Sequence, residues 1–391
     1  MKSAMPFQIK FKKFSDQKVD FASDQLGQEL ETYPFSAVRS VRYLVDGFDD
    51  LRSDLEFELS QKVICIEALQ QVACKGLRHG EEMRPLVWKI LLGYLSVNSN
   101  SWEDELTQHR LKYTQLKEEF LASPSECTNK EEKVSRANGL LRRYEVTNGD
   151  HPLSLRNGSA WSQYFKDAEI AEQIDRDLER THPDIEFFSV NSPISQKNQA
   201  AMRNILLLFA KMNPAIGYVQ GMNEVLAPLY YVFRTDSNED TALHAEADSF
   251  GCFVQLLSGF VDNFCPQLDN SSVGIHATLS RLSQLLKAND KELWDHLENL
   301  KVNTQFYAFR WVTLLLTQEF EFHSIMTIWD FLLSNPLGVQ EMLLRVCCSM
   351  LLCVRNELLQ GDFAANLKLL QHYPQVDLQH LLDVAYHINS L

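Results

Sequence analysis

At 391 residues, 45% hydrophobic and 23% charged, with only 15 glycines and 12 prolines, the chain has the make-up of an ordinary globular protein with ample surface to bury. Its formal charge of -15, from 37 Lys and Arg against 52 Asp and Glu, excludes nucleic acid as a natural partner, because a phosphate backbone rewards the opposite sign.

The cysteines point to a compartment. Cys65, Cys74, Cys127, Cys252, Cys265, Cys347, Cys348 and Cys353 contain no C-x-x-C pair and lie mostly in apolar stretches. That is the pattern of free thiols in a reducing environment, and not of a disulfide framework or a zinc site. No apolar run approaches the ~18 residues that a membrane span requires. The start lacks a secretory core, and Asn389-Ser390-Leu391 is no recognised address. The expectation is a cytoplasmic protein.

Residues 1–18 carry Lys2, Lys10, Lys12, Lys13 and Lys18 against Asp16 alone, with Phe7, Ile9, Phe11 and Phe14 interleaved. Two readings stay open: a partly ordered arm or edge strand, and a tail that touches acidic lipid on endomembranes or an acidic partner. From about residue 54 helical periodicity takes over, and residues 1–53 are assigned to an N-terminal extension. Ser123 to Lys133 and Asn148 to Ser159 are polar and turn-rich and predict loops, as does Thr235 to Asp240.

Ile174-Asp175-Arg176-Asp177-Leu178-Glu179-Arg180 predicts a helix that ends near its arginine, since Pro183 biases the chain out of the helix shortly afterwards. Ile174, Asp177 and Arg180 fall three apart on one side of it, so Asp177 can pair with Arg180 and orient its guanidinium. On spacing alone the plainer account of Arg180 is a last-turn cation favoured by the helix macrodipole.

Met202, Ile205, Leu206 and Phe209 recur at i, i+3, i+4 and i+7, the stripe of an amphipathic helix. Tyr218-Val219-Gln220-Gly221-Met222-Asn223 then precedes an apolar run, Val225 to Phe233. Gly221 permits a bend that other residues resist, and Asn223 is a suitable N-cap for the helix that follows. Read locally, this is equally a capped loop with an exposed glutamine.

Farther on, Trp311 to Phe320 repeats the helical pattern. Met342 to Val354 is apolar nearly all round and predicts a central buried helix closed near Gly361, while Pro374 and Asp377 stop one helix and cap the next. Period-two strands are scarce. An all-α fold of a dozen or more helices is expected.

Several chemistries fail on spacing. The chain has no G-x-x-x-x-G-K-[ST], no G-x-G-x-x-G and no G-x-S-x-G, so neither a nucleotide cradle nor a nucleophile elbow is present. His244-Ala245-Glu246 has the H-x-E of zinc deaminases without the P-C-x-x-C that should follow. No pair of histidines has the H-E-x-x-H zinc spacing. The Asn157 and Asn270 N-x-S triplets mean nothing in a cytosolic protein.

Taken together, the motifs carry a resemblance. Met83-Arg84-Pro85-Leu86-Val87-Trp88, the I-x-x-D-x-x-R of Ile174 to Arg180 and the Y-x-Q-G-M-N of Tyr218 to Asn223 stand in the order and approximate spacing of the three signature motifs of the TBC (Tre-Bub-Cdc) domain. Phe309-Arg310-Trp311 and Ile328-Trp329-Asp330 resemble its later landmarks. Asp150 to Leu153, with Trp161 and Tyr164 to Asp167, and Glu246-Ala247-Asp248 look most like its member-thirteen subfamily.

The resemblance implies an all-α, two-lobed domain over about residues 54–385 that accelerates GTP hydrolysis by a Rab-family small GTPase. Arg180 is then the arginine finger and Gln220 the glutamine finger, both lent in trans. Asp177, Arg84, Tyr218, Gly221 and Asn223 support them, with Arg84 expected to act through Asp177. The chain needs no cofactor of its own, because GTP and magnesium come with the partner. One departure is Gly76-Leu77-Arg78, which lacks the proline often found after this Gly-aliphatic pair and bears on local geometry only. The competing expectation is a TBC-like scaffold that binds a Rab or another trafficking partner without accelerating hydrolysis.

Overall fold

In a computed structural model the residues described are 49–77, 80–121, 160–189, 192–264, 271 and 274–389. The lysine-rich residues 1–18 and the two polar stretches at 123–133 and 148–159 lie outside them. Among the described residues there is no strand beyond an isolated bridge between Val63 and Asn98, and the fold is all-α.

The first half comprises α1 (Asp49–Leu59), α2 (Ile66–Ala73), α3 (Arg84–Leu91), α4 (Trp102–Leu121), α5 (Ala160–Glu179), α6 (Pro193–Met212), α7 (Met222–Arg234), α8 (Glu239–Leu243) and α9 (Ala245–Ser258). The second comprises α10 (Ile275–Asn289), α11 (Lys291–Asn299), α12 (Ala308–Thr313), α13 (Phe322–Leu333), α14 (Val339–Cys353), α15 (Arg355–Gln360), α16 (Phe363–Gln371) and α17 (Leu378–His387).

Two lobes follow from which faces are apolar. In the first, α9 packs on α4, α6 and α7, and α5 lies along α6. Met202, Ile205 and Leu206 are wholly buried, as their 3.6-residue stripe requires. In the second, α14 is the hub, packed by α10, α12, α13 and α17. Its all-round apolarity from Met342 to Leu351 is the mark of a helix with neighbours on every side. It stops at Cys353, and the short α15 fills the interval before Gly361. Asp377 caps α17 by accepting from the N–H groups of Gln379 and His380.

The lobes meet at α3, which touches α2, α7 and α13. Arg84, 6% exposed, opens that helix, and its partner is Asp330 on α13. Nε lies 3.0 Å from Oδ1 and Nη2 3.1 Å from Oδ2. The same carboxylate accepts from Trp88 Nε1 at 2.8 Å and from the Leu77 N–H at 3.0 Å. The expected link from Arg84 to Asp177 is therefore not found. Arg84 joins the lobes, and its buried charge is matched by a carboxylate 246 positions away. Gly76, at φ +87°, turns the chain so that Leu77 reaches Asp330 without the missing proline.

Removing one partner of a buried pair strands the other charge, at a cost of ~3–5 kcal/mol. Arg84→Ala is expected to lower unfolding stability by about that much in denaturant titration. Because Asp330→Ala should cost a similar amount, the double variant should cost far less than the sum. Simple additivity would show that the two side chains act separately.

A second buried centre fixes the first lobe. Asp248 on α9 accepts from Lys89 Nζ at 2.6 Å, Tyr94 Oη at 3.0 Å and both Arg110 Nε and Nη2. Burial alone would raise its carboxyl, but Arg110 and Lys89 outweigh it and hold it below the ordinary carboxylate value. Glu246, two residues earlier, accepts from Tyr113, Lys117 and Asn204. The acidic pair is thus what joins α3, α4 and α6 to α9.

The pattern from Trp311 to Phe320 is not one helix. α12 ends at Thr313, and Leu315 and Leu316 adopt φ of 50° and 65°. Trp329 Nε1 holds this left-handed segment by donating to the Leu315 carbonyl at 3.2 Å. Tertiary contacts override the local pattern here, and Leu314, just before the left-handed pair, lies against Gly221 of the loop that carries Gln220.

Candidate functional site

The chain leaves α5 at Glu179, so Arg180 begins the following loop with its side chain 56% exposed. One turn back, Asp177 is 2% exposed and sits at the centre of the site. Its Oδ1 accepts from Arg180 Nη2 at 2.7 Å. Its Oδ2 accepts from the Tyr218 hydroxyl at 2.7 Å. The two motifs, 40 positions apart at Arg180 and Gln220, are therefore held by the two oxygens of one carboxylate. The half-exposed Arg180–Asp177 pair adds only ~0–1 kcal/mol to stability, so its value is orientation.

The loop from Tyr218 to Gly221 is shaped around a second hub. Gln220 is exposed at the tip of the turn, and Gly221 follows at φ +103°, buried. Asn223 is not the cap of the helix it was expected to start. α7 begins at Met222 with Gly221 in the capping position, and Asn223 lies inside the first turn, 2% exposed. Its Oδ1 accepts from the Gly221 N–H at 3.1 Å and lies 3.2 Å from the Tyr218 hydroxyl. Its Nδ2 donates to Thr181 Oγ1 at 2.8 Å, next to Arg180. An asparagine serves here because its side chain is acceptor to one loop and donor to the other.

Burial, reinforced by Asp177, pushes the Tyr218 hydroxyl well above its ordinary pKa, so it remains a donor across the physiological range. Residues not singled out from the sequence complete the site. Thr181 donates to the Asp177 carbonyl at 2.9 Å. Glu224, 5% exposed, is pushed up to about 7 by burial. His182, at φ +41°, is pushed down to about 4 by burial. An acidic residue inside an otherwise apolar helix start was the readable signal for Glu224; His182 offered none.

Of the residues expected at the site, Arg180, Asp177, Tyr218, Gly221 and Asn223 share one network, and Gln220 sits on its rim. Arg84 stands apart, at the lobe junction. Among the described residues no group of three His, Cys, Asp or Glu could hold a metal ion, and no helix is long and apolar enough to cross a membrane. Cys65, Cys74, Cys252, Cys347, Cys348 and Cys353 are free thiols.

The turn at Gly221 is testable on its own. A β-carbon there would lie 2.4 Å from Leu314 Cδ2, and no L-residue accepts φ +103° easily. The leucine tip can rotate away; the backbone has no such relief. Gly221→Ala is expected to cost ~1–3 kcal/mol and to displace Gln220. Adding Leu314→Ala should recover only a minor part in a thermal melt. Full recovery would assign the cost to the contact and not to the backbone.

Residues 81–359 match the family model of the Rab-GTPase-TBC domain, and the chain belongs to that family. It is 35% identical to human TBC1 domain family member 13 over 85% of its own length and 96% of the relative's. The mouse TBC1 domain family member 13 matches over the same shares. The crystal structure of the Ypt/Rab-GAP domain of Gyp1p superposes with a TM-score of 0.67 at 26% identity, covering 87% of this chain and 98% of that one.

Proposed function

We propose that this protein is a GTPase-activating protein for a Rab-family small GTPase, with Arg180 as arginine finger and Gln220 as glutamine finger. The observation that carries the reading is the Asp177 carboxylate, which holds the arginine through one oxygen and the glutamine loop through the other. Membership of the Rab-GTPase-TBC family and the likeness to a Ypt/Rab-GAP domain support it.

In this mechanism the Rab brings GTP and magnesium. Arg180 exchanges Asp177 for phosphate oxygens and neutralises charge that develops in the transition state, while Gln220 orients the attacking water. A finger of this kind is worth roughly 10³–10⁵ in rate, or ~4–7 kcal/mol. Arginine suits the task because its planar fork donates to two oxygens at once. Asp177, Tyr218 and Asn223 keep the donors in register before the Rab arrives. The lysine excess in residues 1–18 supports peripheral contact with acidic endomembrane surfaces, where a Rab substrate would be met.

Single-turnover GTP hydrolysis across a panel of Rabs tests the reading. Acceleration of at least one Rab by about 10³ or more is expected. Tight binding to a Rab with no acceleration of any would replace the activator by a scaffold.

A further inference from the structure

Glu224 has no part in the catalysis described so far, yet three segments converge on its carboxyl. From its own helix, Asn223 Nδ2 donates to Oε1 at 3.2 Å. From the arginine loop, His182 Nε2 lies 3.4 Å from Oε2 and has no hydrogen-bond partner. From the loop between α12 and α13, the Gln318 side chain comes close enough to favour its charged form. Asp177 and Arg180 act on it through space, one repelling and one attracting. Tyr218 also lies within its field, and Asp184 stands behind His182.

To reach a phosphate, Arg180 must leave Asp177. That leaves two buried carboxyl groups, Asp177 and Glu224, repelling through space without the cation. Asn223 ties their segments together, its Nδ2 lying 3.2 Å from Glu224 Oε1 and 3.4 Å from the Asp177 carbonyl. Two neighbouring carboxylates deprived of water and counter-charge do not both stay ionised readily. His182 cannot make up the loss, because burial keeps its ring neutral at neutral pH. A single proton from solvent resolves the conflict, and Glu224, already raised to about 7 by burial, is the group placed to bind it.

We propose that Glu224 is a positioning residue for Arg180: as a carboxylate it holds the guanidinium parked at Asp177, and as a carboxylic acid it lets the guanidinium go. Release of the finger then takes up one proton, which forms the O–H bond on the Glu224 carboxyl. The proposal rests on Arg180 being the group that enters the GTPase. Proton binding and release are linked, so whatever shift release causes in Glu224 returns as the same factor in the equilibrium between parked and released arginine.

The test is the pH profile of Rab GTP hydrolysis between about pH 6 and 8, each rate divided by the Rab's own rate at that pH. Stimulated kcat/KM should rise ~3–10-fold as pH falls, a tenfold change matching one unit of pKa difference between parked and released states. Glu224→Gln, neutral and nearly isosteric, should be active with a flat profile near the acid limit of the wild type. Retention of the wild-type slope by this variant would overturn the proposal. A second readout needs no Rab: protection of the Arg180 guanidinium N–H groups from solvent exchange, each rate divided by the intrinsic rate at that pH, should fall as pH falls and should stay at the low-pH value throughout in Glu224→Gln. Wild-type protection indifferent to pH would equally overturn it. If no Rab is accelerated at any pH, the activator reading fails, and the Arg180 protection alone decides whether Glu224 controls the parked arginine.

Discussion

Arg180→Lys and Arg180→Ala are both expected to remove at least ~10³ of the stimulated hydrolysis rate while leaving the fold intact. Arg180 is more than half exposed and its one ion pair is with Asp177, so its loss takes little from stability. Asp177 keeps the Tyr218 hydroxyl in either variant. The lysine variant is the more telling of the two. It retains a positive charge for Asp177, and so preserves the resting electrostatics, yet it lacks the second donor of the planar fork. Catalytic efficiency on the most responsive Rab, with thermal melting as control, measures the effect. Activity of Arg180→Lys above about a tenth of wild type would be incompatible with a bidentate phosphate clamp and would leave Arg180 a general electrostatic contributor.

The second large effect concerns the origin of the oriented water. Many GTPases position it with their own switch glutamine, and an activator that brings only an arginine does not rescue a GTPase lacking that residue. Here Gln220 is exposed at the tip of a turn set by Gly221 and braced from behind by Asn223. A Rab whose switch glutamine is replaced by leucine should therefore still be accelerated. Gln220→Ala should be inactive on both forms of the Rab, at unchanged stability, because the side chain it removes is exposed. The opposite pair of results, a refractory glutamine-less Rab and an active Gln220→Ala, would place the water-orienting group on the Rab and leave Gln220 as part of a loop.

What could be read from the sequence was local. Arg180 at a helix end follows from Pro183, and its pairing with Asp177 follows from a three-residue spacing on one helix face. The buried α14 and the capped α17 are likewise matters of periodicity and capping. Contacts across the chain were beyond such reading. Nothing near Arg84 announces Asp330, and the choice between Asp330 and Asp177 as its partner depends on how two lobes close. The position of Asn223 inside the first turn, and not at the cap, has a related reason. An asparagine at a helix start has a ready local use as a cap, and its bonds to Thr181 and to the Gly221 N–H exist only once the two loops are together. The break after Thr313 was hidden because Leu314, Leu315 and Leu316 are apolar and continue the helical pattern. Their left-handed turn answers to Trp329 and to the Gln220 loop, not to their own neighbours.

The double duty of Asp177 carries a consequence for how this site can be altered, in the laboratory or by evolution. With the arginine on one oxygen and Tyr218 on the other, the two motifs are not portable parts. A loop transplanted from a relative would import a glutamine without the tyrosine geometry that this carboxylate enforces, and a changed arginine loop would disturb the tyrosine in turn. Changes on either side should show strong epistasis with the other. The site is therefore expected to vary by coordinated replacement of both loops or hardly at all.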